Sequence, residues 1–348
     1  MQANPVIVKE LRGRMRGWRA AVVLVMYLGV LSMITWLVYL MTQGLASGSS
    51  GSQPSQIGKI LFGTLVSFQT VMVSLLTPAF TAGSITSERE QKTYDLLVTT
   101  LLPARSIIFG KLGSALAYVV LLILAIAPIE SMAFMFGGVS PEEIILSQVV
   151  MLAAALLFAS IGIFWSALLR SSVGSNVLTY GTILFLLLGV PFLYVTIASI
   201  MGASSGGRLT SEPAFYYVSG TVLSSNPLVA MGISEALYSQ GDALFVYTST
   251  SLLNGHTLLV VSPWLIFCIE AVLISTLLTL LSIRLVQPIR SGSQRRQPSR
   301  PRAPRTPSPV VLASTETALP MHIVQPFENR KPYLPQSEEG DEQQSRGD

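Results

Sequence analysis

Charge is scarce in this sequence. Asp, Glu, Lys and Arg make up only 11% of its 348 residues, while half of the residues are hydrophobic. Soluble globular chains carry about a quarter charged residues, so this chain falls outside that class, and no nucleic-acid partner is expected. Histidine and cysteine are nearly missing as well. The two histidines, His256 and His322, lie in a loop and in the C-terminal region, and no His-Glu-x-x-His occurs. An intramembrane metalloprotease, which needs histidine at membrane depth, is therefore excluded. The one cysteine, Cys268, rules out an intrachain disulfide and a cysteine-based metal site. Within its apolar run it reads as an inert buried thiol. A Gly-x-x-x-x-Gly-Lys-Ser/Thr phosphate loop is absent too: Gly58-Lys59 and Gly110-Lys111 lack both the preceding glycine and the following hydroxyl. There is no Gly-x-Ser-x-Gly elbow. The expectation is a non-enzyme with no catalytic residue, no metal site and no cofactor of its own.

What the sequence does have is long apolar runs. Six are long enough to cross a hydrocarbon core of roughly 30 Å, which takes about 20 helical residues. They are Ala20–Met41, Ile60–Gly83, Leu112–Phe136, Ile144–Leu169, Val177–Met201 and Leu258–Ile283. Runs this apolar must be helical, because each backbone amide needs a partner within its own segment once water is gone. The fold class is all-α integral membrane: an interfacial helix over 1–19, a six-span domain over 20–286, and a disordered tail over 287–348. The first run reads as a retained span rather than a cleaved signal, since it is long and lacks a small-residue cleavage site.

Orientation follows from the positive charges. With the N-terminus in the cytoplasm, twenty of the 22 Lys and Arg residues fall on the cytoplasmic side, leaving only Lys59 and Arg208 outside. Both termini are expected in the cytoplasm of a cell that holds this chain in its inner (cytoplasmic) membrane. Upstream of the first span, Ile7, Leu11, Met15 and Trp18 line one helical face and Lys9, Arg12, Arg16 and Arg19 another. That pattern suits a helix lying in the headgroup plane.

The cytoplasmic segment 84–111 is the most informative. Ser87-Glu88-Arg89-Glu90 reads as a capping box opening a helix that presents Tyr94, Leu97 and Leu101 and stops before Pro103. Such a short, charged helix against the membrane face would suit docking of a soluble partner. The plainer reading is an ordinary connector between spans.

The run Ala82–Leu112 resembles the first cytoplasmic loop of type-2 ABC exporter permeases. That loop has Glu-Arg-Glu, a Thr, a Leu-Leu pair, a Pro and Gly-Lys before the next span. Here these are Glu88-Arg89-Glu90, Thr93, Leu96-Leu97, Pro103 and Gly110-Lys111. Asn4-Pro5 and Lys9-Glu10-Leu11-Arg12 are similar to the start of the same family, and the likeness extends over residues 4–286. Lys92 departs from it, standing where the family often has Gly. The resemblance implies a permease subunit that forms the translocation path without its own ATPase. It further implies two copies of a separate ABC ATPase as partners and a second permease, identical or homologous. ATP would act only through the ATPase. The ATPase-coupling helix would comprise Ser87, Glu88, Arg89, Glu90, Thr93, Tyr94, Asp95 and Leu97.

The resemblance also makes the loop 202–257 a lid over the exit of the path. Pro213-Ala-Phe-Tyr-Tyr, Asn226-Pro-Leu-Val-Ala-Met and Ala243-Leu-Phe-Val-Tyr are expected there as short helices at the membrane surface. The tail 287–348 has too few bulky apolar residues to fold alone, and its basic half, Arg290 to Arg305, would favour anionic lipid. Two carboxylates fall inside spans. Glu130 counts out near the outer headgroups and reads as structural. Glu270 counts out about 18 Å below the outer start of span six, near the midplane. There it is expected to be protonated or hydrogen-bonded, with a role in the pathway or subunit interface open beside a structural one. A secondary transporter and a non-transporting scaffold remain the alternatives. The first would show several membrane-depth charges and repeats.

Overall fold

The computed structural model describes residues 18–46, 54–92, 103–206, 213–239, 245–250 and 257–286. Six helices within them are long and apolar enough to cross a membrane. The interfacial helix expected over 1–19, apart from its last two residues, and the tail 287–348 lie outside the described residues.

The first span is α1 (Trp18–Ala46) and the second α2 (Pro54–Thr81). A single turn of helix, α3 (Thr86–Glu90), follows. The third span is two helices, α4 (Ala104–Ala125) and α5 (Ala127–Met135), broken at Ile126. Pro128 accounts for the break, since it has no N–H to give the carbonyl one turn back. The fourth span is α6 (Pro141–Leu168), opened by the Ser140 hydroxyl, which accepts from the Glu143 N–H.

The fifth span, α7 (Ser172–Leu184) and α8 (Val190–Ser205), is joined through a π-helical turn at Phe185–Gly189. Pro191 is its cause: the Leu187 carbonyl, four residues earlier, has lost its helical donor. Asn226 replaces that donor, giving its Nδ2 hydrogens to the Leu187 carbonyl at 2.7 Å and the Leu186 carbonyl at 3.3 Å. A span with an interior proline is thus kept satisfied from outside the helix.

Between spans five and six, the helices expected at 213 and 226 form as α9 (Pro213–Ser224) and α10 (Pro227–Ser239). The third expected helix does not. β1 (Val246–Thr250) instead pairs antiparallel with β2 (Thr257–Val261), Val246 opposite Val261. β-Branched Val and Thr dominate both strands, and a hairpin lets them satisfy their amides across the pair. This also corrects the sixth span. It is α11 (Pro263–Val286), starting after the strand at a proline rather than at Leu258.

The centre of the bundle is α6, which packs most extensively on α11 and α2. Met151, Ala154, Ala155, Leu157 and Phe158 are fully enclosed there. Small residues allow the close approach. A Cβ on Gly162 would run into the Thr81 side chain of α2. Gly162→Val should therefore overpack the α2–α6 contact and destabilise the domain by about 1–3 kcal/mol. Thermal unfolding of the detergent-solubilised variant against the parent would measure it. Spans one and five, by contrast, leave most of their apolar surface facing outward.

Candidate functional site

Arg89, Lys92, Arg105, Lys111, Arg170 and Arg284 gather at one end of the spans, called the basic end below. Here α3 sits in a socket made by the ends of α4, α6 and α7. Five connections hold it and the turn that leads into it. Ser166, near the end of α6, accepts at its hydroxyl from the N–H groups of Ile85 (2.9 Å) and Thr86 (3.1 Å). Both are wholly buried amides that a one-turn helix cannot satisfy itself. Arg89 donates from Nη1 to the Leu169 carbonyl at 2.9 Å, closing the open C-terminus of α6.

Glu90 reaches the start of α7. It accepts the Ser172 N–H at 2.7 Å and the Ser172 hydroxyl at 2.8 Å. A carboxylate at a helix N-terminus also meets the positive end of the dipole. The Ser175 hydroxyl of α7 donates to the Ala82 carbonyl beneath. Finally Lys111, only 4% exposed, bridges from α4 to Glu88 Oε1 at 2.8 Å and the Ser84 carbonyl at 2.9 Å.

This geometry corrects the capping box. Ser87 lies inside α3 rather than at its start. The N-cap is Ile85, with no side-chain cap, and the Ser87 N–H donates to the Gly83 carbonyl. Glu88 and Glu90 turn to α4 and α7 instead of reaching back along the helix, because α4 and α7 offer a buried ammonium and an open helix start. The helix expected to run on from Ser87 ends at Glu90, with Gln91 as its C-cap. Thr93, Tyr94, Asp95 and Leu97 lie outside the described residues.

Lys92 adopts a left-handed backbone, φ 57°. That conformation costs a residue with a Cβ about 1–2 kcal/mol and a glycine almost nothing. Lys92→Gly should therefore leave stability unchanged or raise it by up to about 1 kcal/mol, read from thermal unfolding.

The sequence-predicted residues thus divide. Glu88, Arg89 and Glu90 converge on one socket. Glu270 lies towards the opposite end, on α11, about 10 Å along the helix from Pro263 rather than at the midplane. Its Oε2 accepts from the Ser225 hydroxyl at 2.6 Å, between α9 and α10. Ser225 stands beside Asn226, so the α9–α10 junction touches both the π-helical turn of span five and the carboxylate of span six. At the same end, burial pushes the Glu235 carboxyl up to about 7, with Glu143 adding to the shift and Lys59 opposing it.

Sequence reasoning missed Lys111, Ser166, Ser172 and Ser175 as parts of the socket. Lys111 had a signal, its Gly-Lys position before span three, but neither that pattern nor its charge points to a buried pair with Glu88. The three serines carry none, since serine is common in membrane helices.

No curated protein matches the chain. A family model described as ABC-2 family transporter protein matches residues 5–282, nearly the whole stretch that holds the socket and all six spans. The chain belongs to that family, as a membrane permease component of an ABC transporter.

Proposed function

We propose that this chain is the permease subunit of an ABC exporter, driven by a separate ATPase that docks at the basic end. The observation that carries the reading is the socket around α3. Gln91 and Lys92 stand at the surface, while the three residues before them, Glu88, Arg89 and Glu90, are tied to three different spans. An element exposed on one side and bonded to three spans on the other passes a push into the bundle. ATP-driven closure of two ATPase subunits would press on α3 and tilt α4, α6 and α7 through Lys111, Arg89 and Glu90 respectively. Span five has a place to bend, the π-helical turn. Such rigid-body tilting switches access between the two faces. Two permease subunits, identical or homologous, enclose the path in this reading. The basic end faces the cytoplasm of the cell membrane, with both termini there. The permease itself binds no ATP, and cargo leaves the cell.

The test is a crosslink. A photoreactive group at Gln91, in protein taken from native membranes, should trap a soluble ATPase subunit. The same chain freed of that partner should hydrolyse no ATP. Cysteine at Ser205 should react with an impermeant reagent added outside, and cysteine at Ser293 should not. ATP turnover by the isolated chain, or the opposite labelling pattern, would overturn the reading.

A further inference from the structure

The break in span three has a consequence deep in the bundle. It lets α5 turn Glu130 fully inward, at 0% exposure. Gln148 on α6 donates from Nε2 to Glu130 Oε2 at 2.6 Å. Beside them Tyr27 of α1 faces the Gln69 amide of α2 and lies within electrostatic reach of the Glu130 carboxyl. Gln69 is 0% exposed and Tyr27 3%.

Five polar atoms in this cluster have no hydrogen-bond partner among the described residues: Glu130 Oε1, Gln148 Oε1, both ends of the Gln69 amide, and the Tyr27 hydroxyl. Leaving such groups unpaired away from water is costly, and native folds avoid it. Protonating Glu130 is not a full remedy, because it adds one donor, which pairs at most one of the other three unpartnered oxygens. Nor does a cationic side chain pair with Glu130 among the described residues.

The unpartnered acceptors are all oxygens: one carboxylate, two amide carbonyls and one phenol. Oxygen-only donors suit a hard cation. One formal negative charge balances a monovalent ion, whereas a divalent one would leave net charge buried. With the Gln69 carbonyl turned to the ion, its NH₂ is free to meet the Tyr27 oxygen. We propose that Glu130, Gln148, Gln69 and Tyr27 bind one sodium-sized alkali cation inside the membrane domain, tying α1, α2, α5 and α6 together. The proposal stands apart from the ATPase reading, since it concerns none of the socket residues.

The purified full-length chain tests it, titrated with sodium chloride against choline chloride at constant ionic strength. Radioactive sodium should bind saturably, one ion per chain, and the thermal midpoint should rise with sodium but not with choline. Glu130→Gln, which keeps shape and removes the charge, should weaken sodium binding at least tenfold and abolish the sodium-dependent rise. Tyr27→Phe, which removes one oxygen, should weaken it several-fold. Should Glu130→Gln fail to fold, Tyr27→Phe carries the test. No saturable sodium binding by the parent chain would overturn the proposal and leave a cluster filled by water or a proton alone. So would unchanged sodium affinity in either variant.

Discussion

Replacing Lys111 with Met should be among the most damaging single changes at the basic end. The ammonium is 4% exposed and satisfies both Glu88 Oε1 and the Ser84 carbonyl. Its loss leaves a carboxylate facing an apolar side chain. Removing one partner of a fully buried ion pair costs about 3–5 kcal/mol, mostly as the penalty on the charge left behind. Glu88 is 27% exposed, so water recovers part of this. The expected loss is about 2–3 kcal/mol. The mechanism makes a second, sharper claim. Adding Glu88→Gln to Lys111→Met removes the stranded charge and should restore part of the stability. The double variant should then be more stable than the sum of the singles. Thermal or denaturant unfolding in detergent decides it. A neutral Lys111→Met, or strict additivity, would show that the pair does not hold the turn to α4.

Ser166→Ala should have the largest effect on coupling. One hydroxyl accepts from two amides, Ile85 and Thr86, which are 1% and 0% exposed. Deleting it strands both donors, each at about 1–3 kcal/mol. The local turn should loosen without unfolding six spans. In the assembled transporter, substrate-stimulated ATP turnover should fall about tenfold, the factor that roughly 1.4 kcal/mol represents, with membrane insertion unchanged. Ser160→Ala on the same helix is the control. Its hydroxyl only donates to the carbonyls of Leu156 and Leu157, already bonded in their helix. It should be close to neutral. Equal behaviour of the two variants would mean that Ser166 is not the link between α3 and α6.

The segment 84–90 shows how far local pattern carries and where it stops. Glu88, Arg89 and Glu90 stand out as a charged run between spans, and they are the residues that tie α3 into its socket. Their capping-box spacing, Ser87 to Glu90, gave a local explanation that tertiary partners displaced. Lys111 and Ser172 lie 23 and 82 residues from their partners, beyond any periodicity. The start of span six failed for a related reason. Leu258, Leu259, Val260 and Val261 are as apolar as a helix end, and only their pairing with β1 shows them to be a strand.

By itself the sequence determined the number and helical nature of the spans, because a low-dielectric slab demands length, apolarity and internally satisfied amides. Only the tertiary structure decided which span is central. The fourth and fifth are about equally apolar, yet one is enclosed and the other faces outward. Lipid and protein interior are both apolar solvents, so hydropathy cannot tell them apart; small residues such as Gly162, meeting Thr81, can. The tertiary structure alone also placed Glu130 against Gln148 and Glu270 against Ser225. A buried carboxylate takes its partner from whichever helix comes near, and that is a matter of packing rather than of sequence spacing.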